Sequence, residues 1–285
     1  MKEIKQKIVV GTGVFFLVKL ILLPVGAVVG IILSRILEPV YFGIFGIINF
    51  LVFTSSQLGE LGFSAFLVQK NREPELDDYK TVFTLRLAIA VLVFVLLWNL
   101  SPLLIRWFNL SWEAVAMIRA MSFVVFAEVF SCVSRSILQR KLAYKKIGAL
   151  DIVNALTYQI SAIVLALLGF KAWTFVIAVI ISSLLTNLLY FVFVPWHMGI
   201  RFKVSAVREV FRFGSFFQLS YISALLRDNI IAILGGLTFG PQAVGYLSWA
   251  YNITLRITGV FNQVIGSITF PAISRIQDNP EKVAA

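Results

Sequence analysis

Residues 8–33 read IVVGTGVFFLVKLILLPVGAVVGIIL, about 26 nearly apolar positions with one full charge, Lys19, near the middle. At about 1.5 Å rise per residue, a helix of this length crosses a ~30 Å hydrocarbon core with some tilt. A lysine at that depth costs roughly 2.5–3.5 kcal/mol on insertion scales, so it needs a protein or aqueous environment. Gly26 and Gly30 form a small-xxx-small pair that admits a second helix closely. The stretch therefore reads as a packed membrane helix holding a buried cation, and the rest of the chain repeats the theme.

Composition agrees. Of 285 residues, 59% are hydrophobic and only 14% charged, against about 25% charged in soluble domains, and the mean hydropathy is +0.91. The fold class expected is an all-α polytopic membrane protein. The formal net charge of +11 is the excess of basic residues that cytoplasmic loops carry, which leaves nucleic acid out as a partner. One cysteine, Cys132, excludes a disulfide framework. One histidine, His197, stands beside Trp196 at a span end and reads as an interfacial anchor, with no second ligand for a metal. The basic start, Met1 to Lys7, resembles a signal peptide, but the apolar run is too long for one and reads as an uncleaved first span.

Eight spans are expected, at 8–33, 41–68, 81–101, 114–137, 147–168, 172–196, 209–234 and 241–271. The segments between them are short. Sixteen Lys and Arg fall on one side, among them Lys70, Arg72, Lys80, Arg140, Arg201 and Lys203; only Arg35, Arg106 and Lys171 fall on the other. The positive-inside rule then puts both termini in the cytoplasm. The acidic cluster Glu73, Glu75, Asp77 and Asp78 reads as a solvated turn.

An internal repeat is visible. Gly13-Val14-Phe15-Phe16 opens the first span and Gly214-Ser215-Phe216-Phe217 the seventh; Pro39 and Gly43 open the second, Pro241 and Gly245 the eighth. Asn49 and Glu60 likewise meet Asn252 and Gln263, and the offsets stay between 201 and 203. A unit of six spans returns the chain to the same side, so the repeat is parallel, about an axis along the membrane normal. The expected organisation is a six-helix lobe over residues 1–200, then over 201–285 the first two helices of a second, incomplete lobe in a truncated form of a longer protein.

Polar residues inside the spans form stripes. Asn252, Arg256, Gly259 and Gln263 share a face of the eighth span; Asn49, Ser56, Glu60 and Ser64 share one in the second. Such stripes also serve to join helices, but the ionised residues Lys19, Arg227 and Arg256 call for a cavity, with Glu60 or Asp228 as counter-ions. Arg86, Arg119 and Arg135 lie nearer span ends and read as snorkelling. A cavity with surplus cations suits an anionic, phosphate-bearing substrate.

Three features carry a family resemblance: the opening Gly13-Val14-Phe15-Phe16; the turn Leu37-Glu38-Pro39-Val40-Tyr41-Phe42-Gly43 leading to Gly59-Glu60-Leu61-Gly62-Phe63; and the ending Phe270-Pro271-Ala272-Ile273-Ser274-Arg275. Together they resemble the polysaccharide transporters, the oligosaccharide flippases of the multidrug/oligosaccharidyl-lipid/polysaccharide (MOP) exporter superfamily. The resemblance implies a MATE-like fold of two six-span lobes and alternating access of a polyprenyl-pyrophosphate-linked oligosaccharide. It implies no enzyme and no cofactor. Glycosyltransferases and a polymerase of the same pathway are implied partners, besides membrane lipids, in making capsule, exopolysaccharide or lipopolysaccharide O-antigen at the plasma membrane. The substrate-binding candidates are Lys19, Arg227, Arg256, Asn252, Gln263, Asn49 and Glu60. Alternatives are a cell-wall precursor flippase, a drug/cation antiporter of the same superfamily, a membrane-embedded polymerase or glycosyltransferase, and a non-transporting scaffold.

Overall fold

The structure, a computed structural model, describes residues 2–60, 62–70, 72–203, 207, 223, 234–247 and 250. These residues contain helices and turns but no strand. In chain order the helices are α1 (Lys2–Ile36), α2 (Pro39–Leu58), α3 (Phe63–Gln69), α4 (Leu76–Trp107), α5 (Glu113–Arg140), α6 (Tyr144–Leu167), α7 (Trp173–Phe193) and α8 (Gly236–Thr238). Residues 240–247 continue as helix after a turn at Phe239. Five helices, α2 and α4 to α7, are long and apolar enough to cross a membrane, and α1 adds the apolar stretch Leu20–Ile36. Helices are the solution hydrocarbon demands, because each satisfies its own backbone donors and acceptors.

Helix α5 is the axis of the bundle. Its apolar window is 61% buried, against 22–33% for the other four. Helices α2, α3, α4 and α7 pack on it, α6 packs on α7, and α1 packs on α6. Ile118, Val129 and Val133 of α5 are fully enclosed. The outer helices keep Leu92, Ile160 and Leu188 exposed, the side chains a lipid solvent would cover.

The expected second span, 41–68, is not one helix. It breaks at residues 59–62 into α2 and α3. The cause is a glycine pair. A Cβ on Gly59 would meet Ile89 Cγ2 at 2.6 Å, and Gly62 takes the left-handed φ of 73° that glycine adopts freely. Glu60 thus lies in the turn and not on a continuous helix, and its Oε1 accepts the backbone N–H of Ser64 at 3.0 Å.

The end of the bundle near α3 is fastened by charge. Asp78 is fully buried and pairs with Lys70 at 2.8 Å. It also accepts the backbone N–H of Glu75 at 2.9 Å, closing the first turn of α4. For Asp78 this corrects the solvated-turn reading, because Lys70 folds back from α3 and removes it from water; Glu73 and Glu75 are exposed and Asp77 half-buried, in keeping with that reading. Arg140, at the end of α5, donates to the carbonyls of Leu67, Val68, Lys70 and Arg72 at 2.8–3.2 Å. Those are the last carbonyls of α3 and its turn, which lack helical donors. Residues 194–203 then strap across α4. Thr84 Oγ1 accepts the N–H of Arg201 at 3.0 Å, Thr81 Oγ1 accepts that of Lys203 at 3.3 Å, and Lys203 Nζ meets Glu75 Oε2 at 3.0 Å. Trp196 is buried edge-on against Phe83, 5.4 Å between centroids, while His197 beside it is exposed.

The opposite end is closed by apolar and backbone packing. Phe42 and Phe45 of α2 meet Phe175 of α7 at 4.9 and 5.0 Å. Ile47 and Val244, both fully buried, share a cluster with Phe108. Gly43 and Gly245 face each other's helices: a Cβ on Gly43 would stand 1.7 Å from the Pro241 carbonyl oxygen, and one on Gly245 2.0 Å from that of Pro39. The same end carries a repair in α4. Pro102 has no N–H for the Trp98 carbonyl. Ser101 Oγ donates to that carbonyl at 2.9 Å and Arg119 Nε at 3.3 Å, with the guanidinium 4.9 Å from the Trp98 ring. Arg119 is thus held by protein, where snorkelling was expected.

Candidate functional site

The charged site within the bundle is built on Arg86. It lies ten residues beyond the first of α4, roughly 15 Å along the axis, and is only 5% exposed. Its guanidinium reaches Glu60 Oε2 at 3.2 Å and Glu128 Oε2 at 3.6 Å. It also donates to the Ser56 carbonyl at 3.1 Å. Ser56 Oγ in turn donates to Glu128 Oε2 at 2.5 Å. Ser64 Oγ and the buried Cys132 thiol, 3.6 Å apart, flank the group.

Three helices and one break make this arrangement. The Gly59–Gly62 turn frees Glu60 from α2, α4 supplies Arg86, and α5 supplies Glu128. The close packing of Gly59 against Ile89 brings that turn onto α4. Among the described residues one guanidinium holds two carboxylates, whose side chains keep 24% and 35% of their surface. On α5, Glu128 and the exposed Arg135 share a face seven residues apart, turned away from exposed Phe123 and Phe130. Arg135 stands 5.9 Å from the ring of Tyr190. Ser131, one turn on from Glu128, hydrogen-bonds Asn187 of α7. The central helix therefore carries apolar side chains on one side and ionisable ones on another.

Of the candidates named from sequence, Glu60 is in this cluster, and among the described residues its ion-pair partner is Arg86. Asn49 is half-buried on α2. Lys19 lies within α1, its side chain outside the described set. Arg227, Asn252, Arg256 and Gln263 lie outside the described residues. The reading of Arg86 as snorkelling is overturned by its burial and its two glutamates. Sequence reasoning also left Glu128 unassigned. The signal available was the acid itself, set among valines, phenylalanines and serines in the middle of a span.

A bundle of long apolar helices around a buried ion cluster defines a polytopic membrane protein with a polar interior. Residues 32–285 match the family described as "Polysaccharide biosynthesis protein", and the chain belongs to that family. It is 23% identical over 283 residues to the lipopolysaccharide biosynthesis protein WzxC of Escherichia coli, covering 99% of this chain and 57% of that one. It is 25% identical over 219 residues to the teichuronic acid biosynthesis protein TuaB of Bacillus subtilis, 76% and 45% of the two chains. With the succinoglycan biosynthesis transport protein ExoT of Rhizobium meliloti it shares 24% over 255 residues, 88% and 50% of the two. The chain spans about half the length of these curated relatives. Among solved structures, its fold is similar to a MOP superfamily transporter from Pyrococcus furiosus, with a TM-score of 0.59, 18% identity, and 93% and 64% of the chains covered. It is also similar to a multidrug resistance MATE family transporter in an inward-facing conformation, with a TM-score of 0.53, 16% identity, and 90% and 60% covered.

Proposed function

We propose that the chain forms part of a two-lobe transporter that moves a polyprenyl-pyrophosphate-linked oligosaccharide across the cytoplasmic membrane by alternating access. Residues 1–200 are the first six-helix lobe and 201–285 the opening helices of the second. The observation that carries the reading is family membership over residues 32–285, joined to relatives named for lipopolysaccharide, teichuronic acid and succinoglycan synthesis. Both termini are cytoplasmic in this reading. The charge-fastened end, with Lys70, Arg72, Arg140, Arg201 and Lys203, faces inward, and the end bearing Arg35, Arg106 and Lys171 faces outward. Lys19, Arg227 and Arg256 receive the pyrophosphate, with Asn49, Asn252 and Gln263 beside them and Glu60 at the cavity wall. With the inside negative, each negative charge carried outward gains about 2.3 kcal/mol per 100 mV.

The test is leaflet location. Cells lacking the gene should still make the lipid-linked glycan but keep it out of reach of an impermeant glycan-oxidising reagent. Restoring the full-length protein should expose it, and full-length Arg256→Glu should not, at normal membrane abundance. Absence of the glycan itself would instead favour a synthetic enzyme.

The Arg86 cluster favours a second reading, cation-coupled antiport. Two partly accessible carboxylates on one guanidinium form an acidic site, whereas the surplus of cations rests on residues outside the described set. Efflux of a cationic drug that disappears with Glu128→Gln, while glycan placement stays unchanged, would select this reading.

A further inference from the structure

The seam between the start of α2 and the helix at 240–247 is reciprocal. Gly43 faces the carbonyl of Pro241, and Gly245 faces the carbonyl of Pro39. Each glycine stands four residues after its own proline, and the two Pro-x-x-x-Gly stretches are the repeat-equivalent openings of the second and eighth spans. A contact in which i meets j and j meets i is what a two-fold relation produces. It is also a backbone-on-backbone contact. The would-be Cβ distances of 1.7 and 2.0 Å admit no side chain at either position, and the glycine Cα–H groups are left to approach carbonyl oxygens. Beneath it, Ile47 and Val244 are sealed at 0% exposure. Among the described residues no ion pair or side-chain hydrogen bond crosses this seam.

We propose that the Pro39–Gly43/Pro241–Gly245 seam is the closing surface of the end bearing Arg35, Arg106 and Lys171. Its two glycines let the helix openings touch and part without breaking a charged contact. A joint made of shape alone separates without leaving a buried ion unpaired. Its tight fit still makes the closed state discrete, since a single methyl group on either side prevents it. The proposal rests on the alternating-access reading, yet its test does not depend on the cargo.

In the full-length protein with Cys132→Ser and any further native cysteine also replaced by serine, cysteines are placed singly at Val244, under the seam, and at Ile118, a fully buried position inside the bundle. Intact cells are treated with a membrane-impermeant maleimide from outside. Val244→Cys should label slowly but faster than Ile118→Cys. Adding Gly43→Ala should speed labelling at position 244 several-fold and leave position 118 unchanged. Equal rates at 244 with and without Gly43→Ala, or an equal rise at 118, would overturn the proposal. If Gly43→Ala does not accumulate, Gly245→Ala is read in the same way. If neither does, protection of Val244→Cys as complete as that of Ile118→Cys in the otherwise unaltered protein also overturns it. Seam opening without glycan movement would fault the cargo and leave the seam standing.

Discussion

The two ends of the bundle are held by different physics. At one, Asp78–Lys70, the Arg140 clamp and the 194–203 strap knit α3, α4 and α5 with charge-assisted bonds. At the other, two glycines and the Phe42–Phe45–Phe175 contacts meet with bare surfaces. Buried charges are costly to separate and so favour one arrangement; apolar and backbone surfaces re-form in either direction at little cost. The first set of contacts lies within residues 67–203, whereas the second joins residues 39–43 to 241–245; the difference points to rigidity among the helices of the first end and, on the alternating-access reading, to motion at the seam.

The largest effect expected is at the rigid end. Asp78→Ala removes the buried Lys70–Asp78 pair and the acceptor of the Glu75 N–H and should destabilise the protein by about 3–5 kcal/mol, read as a lowered melting temperature in detergent. Arg140→Lys keeps the charge but loses the planar fork that spans four carbonyls. Its cost should be roughly 1–3 kcal/mol, with faster amide exchange in residues 67–72 as the local signature. At the seam end, Arg119→Leu removes the cation–π contact and one of two donors to the Trp98 carbonyl. The expected loss is about 1 kcal/mol, because Ser101 remains.

The smallest effect belongs to the exposed Lys203–Glu75 pair. The Lys203 hydrogen bond and charge hold the Glu75 carboxyl below its ordinary 4.5. The Glu75 bond holds the Lys203 ammonium above its ordinary 10.5. The glutamate's contribution is present above pH 4.5 and fades as pH falls through its lowered value. The lysine's is present below pH 10.5 and fades as pH rises through its raised value. A fluorophore at Ile200→Cys should therefore show steady anisotropy between about pH 5 and 10, with greater freedom beyond either limit. High salt or Lys203→Ala should give the same freedom at neutral pH, without a change in melting temperature.

The helices themselves were legible in the sequence because apolar length decides them. The spans expected at 114–137 and 147–168 appear as Glu113–Arg140 and Tyr144–Leu167. The break at 59–62 was also encoded, in the Gly59–Gly62 pair, but a hydropathy reading runs through glycine without stopping. Arg86 and Asp78 were misplaced for one reason. Their partners, Glu128 and Glu60 for one and Lys70 for the other, are distant in sequence or folded back across a turn, so nearness to a span end looked like exposure. The acid at position 60 is legible because it shares a polar stripe with Asn49 and Ser56 and a repeat position with Gln263; Glu128 has neither flag.

One measurement separates the two ends most directly. Pairs of spin labels are placed in the full-length protein in nanodiscs, one pair at Ile36 and Phe239 flanking the seam, the other at Leu76 and Ile200 across the strap, all at exposed positions. Pulsed electron–electron distance spectroscopy is then recorded with and without a polyprenyl-pyrophosphate-linked sugar. Two distance populations are expected across the seam, their ratio shifting with the lipid-linked sugar, and one unchanging distance across the strap. A single fixed distance at the seam in protein that transports, or matching movement at both ends, would contradict that expectation.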